Sequence, residues 1–578
     1  MDDSERKNKR KFKIKWASDA SQMELTNLAE LIYKTQQINN FLDNQKIYFI
    51  AGNKGMGKTM LLSLKRHHLS SIHGESDKVV KFIPENEPYL DFMGGIMDLG
   101  KGNAFLEKQD AVRRLWKISI SISILSHFES NLNDIETKNF NEFAPEIISI
   151  WMFNRSKINP SLVFQELLRS LDISRLSRFL QTVEGILNLK IGRIHSAIII
   201  FIDKVDQAIS HLSKACWISV QCGLLEAIWE IVEVNRHIKI YASIRQEAFG
   251  NFTNPVVKSN IFGHTTQLEY NKEDMIEILN KLSNVYENVP SFKEFVHVNE
   301  VNSNFYQQTE DPFDYINRHT VGRPRDFVIM AHAISERKMS LDEYRFKRLV
   351  TRTAEQIILT NLFDESKQFL EYLCEVEDRK RFYDLLFQNI LTEKQLIQIS
   401  GQFNGIQNES DIYSSNLIAH PFSELYRIGF LGLLQHSYGK IIQIFKQPSD
   451  PCDYSSVDIP ESDFYFIHPI ISYYLNNNNK TKHRIFKNIL VGHEYSWNSY
   501  YKDLIEIQTL GFEILDPELE RLLNEFLDKN FKELLKNKPE LRKSIEWNNL
   551  SMYLETKDSS DHHVRLYFLV DRLIDKEY

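Results

Sequence analysis

The chain has 578 residues, 42% hydrophobic and 26% charged, with 70 Lys+Arg against 78 Asp+Glu and a net charge of −8. That length exceeds a single core and predicts about two to four domains. The composition excludes global disorder, and the acidic balance excludes a polyanion binder over the whole surface.

Residues 1–45 read as a basic arm and a leading helix. Arg6, Lys7, Lys9, Arg10, Lys11, Lys13 and Lys15 stand there without an acid among them. Two readings are open, a solvated terminus or an arm for nucleic acid phosphates or an acidic partner. No apolar stretch follows these charges, so a secretory signal is not expected. No run of about 18 uncharged apolar residues occurs, so no membrane is expected as a partner. Cys216, Cys222, Cys374 and Cys452 form no CxxC pair and no Cys/His cluster, which excludes zinc and disulfide frameworks and fits a reducing cytoplasm.

The stretch FIAGNKGMGKTMLL, Phe49 to Leu62, carries the sharpest signal. Ile47–Ile50 is a predicted strand, and a helix is predicted from Met60. Between them Gly52, Asn53, Lys54, Gly55, Met56, Gly57, Lys58 and Thr59 fit G-x-x-x-x-G-K-[ST]. A loop that turns its N–H groups inward onto phosphates needs conformations that glycine tolerates best. The helix start then faces the same phosphates with its partial positive charge. Gly52 to Met60 are therefore the candidate nucleotide-binding residues. Lys58 would also act on the β- and γ-phosphates, and Thr59 would place its hydroxyl on Mg²⁺. The plain alternative is a glycine-rich strand–helix turn with no ligand.

The 143 residues from Met60 to Ile202 are long for a compact core, so a helical insertion is expected at about 90–190. Ile118, Ile120, Ile122 and Ile124 alternate with serines as in a strand. The flanking Val112, Leu115, Trp116 and Leu125 carry the stretch to helix. Pro160–Leu189 reads as helices. Ile198–Ile202 is an uninterrupted apolar run, as in a strand buried on both faces, and Asp203 ends it as a candidate Mg²⁺ ligand. Asp203 also suits a simple strand stop. Lys204 follows it. Asp206 is the next carboxylate and either activates water or caps a helix. A helix over Trp217–Val234 precedes a strand at Ile238–Ala242, which ends at Ser243 and Arg245. Ligands of parallel sheets lie at the carboxyl ends of strands. Arg245 is thus a candidate to stabilise charge on a transferring phosphoryl group, against a plain surface arginine.

Gly322-Arg323-Pro324-Arg325-Asp326 opens an amphipathic helix with Phe327, Ile329, Met330 and Ile334 on its apolar face. Taken in order, GNKGMGKT, IIIFIDKVD, YASIR and GRPRD resemble the additional-strand P-loop ATPases, the AAA+ proteins and their STAND relatives. The resemblance covers roughly residues 40–340. It implies ATP and Mg²⁺ as cofactors, a sensor arginine at Arg245, a Gly-x-Pro at Gly322 and Pro324, and a second sensor at Arg325. Lys204 departs from the pattern and puts hydrolysis in doubt. A GTPase reading, from IDKVD and from DFMG at Asp91–Gly94, is disfavoured because Asp91 ends no apolar strand and Asp203 lacks an amide donor.

The expected fold class is an α/β P-loop NTPase core over 46–340, a mostly parallel sheet with flanking helices. A helical lid and a winged-helix-like domain follow over 341–475. Asp342–Val376 reads as helical, RFYDLLFQNILTEKQLIQIS as a pair of helices and FSELYRIGFLGLL as another. KIIQIFK and DFYFIHPII read as strands. His468 reads as structural, with nucleotide contact the alternative from the resemblance. Asn476–Lys482 is a polar linker, and 483–578 reads as mainly helical. The resemblance implies an Mg-ATP-driven switch that hydrolyses slowly and assembles with itself or an effector protein, in bacterial signalling or anti-phage defence. The alternatives are a DNA-associated ATPase and a nucleotide-bound scaffold without hydrolysis.

Overall fold

Short strands, most of them apolar, build the first sheet. The computed structural model describes residues 15–17, 30–73, 80–82, 103–126, 138, 142, 159–170, 173–302, 309–337, 341–386, 390–406, 421–446, 459–471 and 494–497, except 211, 253–254, 438–439 and 463. Helix α1, Gln36–Asp43, starts at Thr35, whose side chain accepts from Ile38 N. Strand β1 is Phe49–Ala51, fully buried. It begins beyond the expected Ile47, because Tyr48 N and Phe49 N both donate to His264 O, at 3.0 and 3.1 Å. Helix α2, Lys58–His73, follows the glycine loop. Strands β2 (Val80–Phe82), β3 (Ala197–Ile202), β4 (Ile238–Ile244) and β5 (Thr265–Gln267) complete a sheet of order β2-β3-β4-β1-β5. Every neighbouring pair is parallel. Strand β4 therefore lies between β1 and β3, and all three release their chains at one edge of the sheet.

The alternating Ile/Ser stretch is helix α3, Gln109–Ser126. Both its isoleucines and its serines are buried, as in a helix enclosed on all sides. Helix α4, Lys214–Val234, is capped by Ser213 and packs between α3 and the sheet. By length and composition α4 is apolar enough to cross a membrane, but 78% of its most apolar window is buried inside the protein. Gly223 is the contact point of α3 and α4. A Cβ there would sit 2.9 Å from Arg113 N and 3.0 Å from a Val112 methyl, so only glycine lets the helices approach this closely. The helices of 103–192 share one hydrophobic cluster with the sheet, so they are built into its core.

A second cluster runs from Trp16 and Leu31 through Met275 to Ile471. It contains helix α5, Lys272–Glu287, opened by an Asn271/Asp274 capping box, and helix α6, Pro324–Ser335. A short hairpin, β6 (Val301–Asn302) with β7 (Thr309–Glu310), separates them. Glu343–Thr353 continues through a π-helical turn, Ala354–Leu359, into helix α7, Thr360–Ser366. Helical structure stops by Phe369, short of the expected Val376.

Next come helix α8 (Val376–Leu385), strand β8 (Ile390–Leu391), helix α9 (Glu393–Phe403) and helix α10 (Pro421–Arg427). Thr392 and Gln395 form a capping box at α9. The expected helix over FSELYRIGFLGLL is half right. Gly429, at φ 82°, stops α10, with Phe430 N donating to Leu425 O at 2.7 Å. Leu431–Ser437 is instead strand β9. Strands β10 (Lys440–Ile444), β11 (Phe464–Ile467) and β12 (Glu494–Trp497) complete an antiparallel sheet, β12-β10-β9-β11-β8. Strand β12 lies in the region read as mainly helical. The helical reading of the rest of 483–578, the linker 476–482, Asp91–Gly94 and Arg6–Lys13 lie outside the described residues.

Candidate functional site

The loop between β1 and α2 turns on Gly55 and Gly57, at φ 90° and 92°, a region that side chains avoid. Gly55 is also pressed from outside. A Cβ there would lie 3.1 Å from Arg325 Nε and 3.2 Å from Arg325 Cβ. Lys58 is the first residue of α2, and its ammonium folds back to donate to Gly52 O at 2.7 Å and Asn53 O at 3.1 Å. No acid occupies the first turn of α2, so its free amides carry an uncompensated positive end. Burial brings the Lys58 ammonium down to about 8, with Asp206 acting against the shift.

The loop forms one wall of a cavity of about 500 Å³. Lys54, Gly55, Met56, Gly57, Lys58, Thr59 and Met60 line it, together with Asp203, Lys204 and Asp206 from the end of β3. Arg325 of α6 and Glu365 of α7 also line it. The same lining includes the apolar Ile32, Ile38, Ile278, Leu282, Val328 and Ile329. Charged and apolar groups in one cleft suit a ligand that carries both a charged and a weakly polar part.

Ser243, on the neighbouring β4, donates its hydroxyl to Asp203 Oδ1 and so orients the carboxylate. Lys204 has a left-handed backbone, φ 58°, an unusual choice for a long side chain. Asp206 sits in the first turn of a short helix, Val205–Ala208, whose N-terminal position is Lys204, so Asp206 is not its cap. Among the described residues, no group of three or more His, Cys, Asp or Glu is placed to hold a metal by itself.

The cavity thus gathers most of the residues the sequence singled out. Gly52 and Asn53 are not in its lining, and their carbonyls accept from Lys58. Arg245 is beside the cavity but not in its lining. It is buried, forks onto Glu247 at 2.6 and 3.0 Å, and reaches Asp206 at 3.5 Å. Burial acts against its charge, yet Glu247 and Asp206 together raise its pKa. His468 is not in the lining either. It is buried against Phe430 and Phe445, and its Nδ1 accepts from Ile470 N at 3.1 Å, the structural role.

Glu365 and Glu247 lie in no motif, and Arg323 stands within GRPRD without a role assigned from the sequence. Glu365 accepts from Arg323 at 2.7 Å and also from Arg325, and lies 3.9 Å from Lys54. Burial alone would push its carboxyl up, but Arg323, Arg325 and Lys54 outweigh it and hold it at about 2. Arg323 also forks onto the fully buried Asp326, at 2.8 and 2.9 Å. Two hydrogen bonds tie the start of α6 to the loop: Arg325 N donates to Gly55 O at 3.2 Å, and the Arg323 guanidinium donates to Lys54 O at 3.3 Å. No protein-family model matches the chain, and no curated protein matches it.

Proposed function

We propose that this cleft binds Mg-ATP and that the chain is a slowly hydrolysing, nucleotide-controlled switch. One observation carries the reading. The glycine loop, Lys58 and Thr59 at the start of α2, and Asp203 at the end of β3 all line one cavity, which apolar side chains also line. The β- and γ-phosphates would sit over the loop, exchanging the Gly52 and Asn53 carbonyls for phosphate oxygens at Lys58. The base would lie against Ile32, Ile38 and Val328. The position of β4 between β1 and β3 supports the additional-strand type of P-loop ATPase.

Thr59 and Asp203 fit a magnesium site. Mg²⁺ takes few protein ligands and fills its octahedron with phosphate and water, so a lone carboxylate and a hydroxyl suffice. When bound, the ion supplies charge neutralisation on the phosphates. Ser243 orients Asp203 for that task, and Asp206 is the carboxylate available to accept a proton from water. Arg325 would report the bound nucleotide to the lid and, through α7, to the unit of α8–α10 and β8–β12. The order α8-β8-α9-α10-β9 with β11 supports a winged-helix reading of that unit. Assembly with a second copy or an effector is the expected output of such a switch.

Isothermal titration tests the reading directly. The wild type should bind Mg-ATP, and Lys58→Ala should weaken it by at least about 100-fold, as for loss of a charged hydrogen-bonding partner. No binding by either protein would remove the proposal. The Lys204 conformation favours a second reading, a nucleotide-bound scaffold without hydrolysis. Single-turnover hydrolysis separates the two readings.

A further inference from the structure

Arg325 and Lys54 both line the cavity with cationic side chains, but neither is free. Both share the Glu365 carboxylate. That carboxylate is nearly enclosed, with 6% of its side chain exposed. Arg323, its remaining partner, is anchored separately by the fork onto Asp326. Arg325 keeps one buried donor, Nε, without any hydrogen-bond acceptor. An unpaired buried donor is costly, and an arriving anion would relieve it.

The cations near the loop therefore fall into distinct classes. Arg245 and Arg323 are each forked onto a carboxylate of their own, Glu247 and Asp326. Lys58 has only neutral hydrogen-bond acceptors, the Gly52 and Asn53 carbonyls. Arg325 and Lys54 sit between, held by an anion that belongs to the protein.

Resting on the nucleotide reading above, we infer that Glu365 is a specificity-determining residue that separates triphosphates from diphosphates. A diphosphate satisfies Lys58 and the loop amides and leaves Glu365 in place. A third phosphate extends toward Arg325 and Lys54 and competes with the Glu365 carboxylate for them. The site thereby discounts the affinity of the third phosphate, and its arrival loosens α7 from the loop. Carboxylate and phosphate are alternative partners of the same guanidinium, which binds either by paired N–H donors.

The test compares Glu365→Gln with the wild type by titration with Mg-ATP and with ADP. The variant keeps the side-chain volume and leaves Arg323 on Asp326. Affinity for Mg-ATP should rise about tenfold, the scale of one charged hydrogen bond, with affinity for ADP unchanged. An equal gain for both nucleotides would overturn the inference, because it would reflect only one negative charge fewer. A loss of Mg-ATP affinity would also overturn it, because Glu365 would then be holding Arg325 in its working position. If Glu365→Gln is unstable, Arg325→Lys serves instead. It removes the planar guanidinium and should narrow the preference for Mg-ATP over ADP, and an unchanged preference sinks the idea. Should the wild type bind neither nucleotide, the parent reading fails. A double-mutant cycle of Glu365→Gln and Arg325→Lys on ligand-free stability then reports the contact on its own.

Discussion

The enclosed ammonium of Lys58 gives nucleotide binding a defined pH dependence. In the ligand-free protein Lys58 loses its proton near pH 8, chiefly through burial. A polyphosphate over the loop would stabilise the charged form and return the group toward its ordinary value. Binding then takes up protons, about half a proton per site at pH 8 and about 0.9 at pH 9. The phosphates are already ionised at those values and contribute little. Mg-ATP affinity should be flat below pH 7 and about tenfold weaker at pH 9, or about 1.4 kcal/mol. The sign for ligand-free stability is opposite. The folded pKa is depressed, so the unfolded chain binds more protons between pH 8 and 10.5, and the Lys58 contribution to stability rises with pH across that window. Titration calorimetry at pH 7, 8 and 9, in buffers of different ionisation enthalpy, reads affinity and proton uptake together. Lys58→Arg, which does not deprotonate, should flatten the profile. A wild-type affinity that does not change from pH 7 to 9 would refute the reasoning. So would a fall that persists in Lys58→Arg, which would assign the proton to Lys54, also lowered chiefly by burial.

Three further outcomes follow from named contacts. Gly55→Ala forces a side chain into φ 90° and against Arg325, at a cost of about 1–2 kcal/mol. Mg-ATP affinity should drop at least about tenfold while circular dichroism stays native, and an unchanged dissociation constant contradicts the loop geometry. Arg323→Met strips Asp326 of its guanidinium inside the core, and unfolding by urea should show a loss of about 3–5 kcal/mol. A loss below about 1 kcal/mol would mean that Asp326 is satisfied without Arg323. Asp206→Asn should slow single-turnover ATP hydrolysis by about 100-fold if Asp206 accepts the proton. An unchanged rate moves that role elsewhere.

The cleft was legible in the sequence where its chemistry is local. Eight consecutive residues, Gly52 to Thr59, encode the loop because its glycines answer to backbone torsion and its lysine to a helix start. Asp203 was legible because five apolar residues in a row, rich in isoleucine, suit a strand buried on both faces, and the aspartate directly follows them. The start of β1 was misplaced because Ile47 and Tyr48 are as apolar as the strand itself and only the position of His264 O decides. Strand β9 was missed because LGLL, without alternation, reads as a continuation of α10, although Gly429 was the available signal. Glu365 was invisible for a different reason. It stands 40 residues beyond Arg325 in an unremarkable helix, and its meaning arises only when α7 folds against α6. No periodicity records a contact of that kind.

The role of Arg245 shows how far pairing constrains chemistry. By position it ends the strand between β1 and β3, where a phosphate sensor would stand. Its guanidinium, however, is forked onto Glu247 from within its own chain turn and lies outside the cavity lining. Freeing it would leave Glu247, itself buried, without its guanidinium, a cost of several kcal/mol for an uncompensated interior charge. A terminal phosphate offers Arg245 no gain that Glu247 does not already provide. Arg245 is therefore placed to act through Asp206, at 3.5 Å, rather than on a phosphate. That contact holds the Asp206 carboxylate in position at the cavity wall. Arg245→Lys keeps the charge but breaks the fork. It should lower hydrolysis without altering the dissociation constant for Mg-ATP. A direct sensor would show the reverse, with affinity lost first.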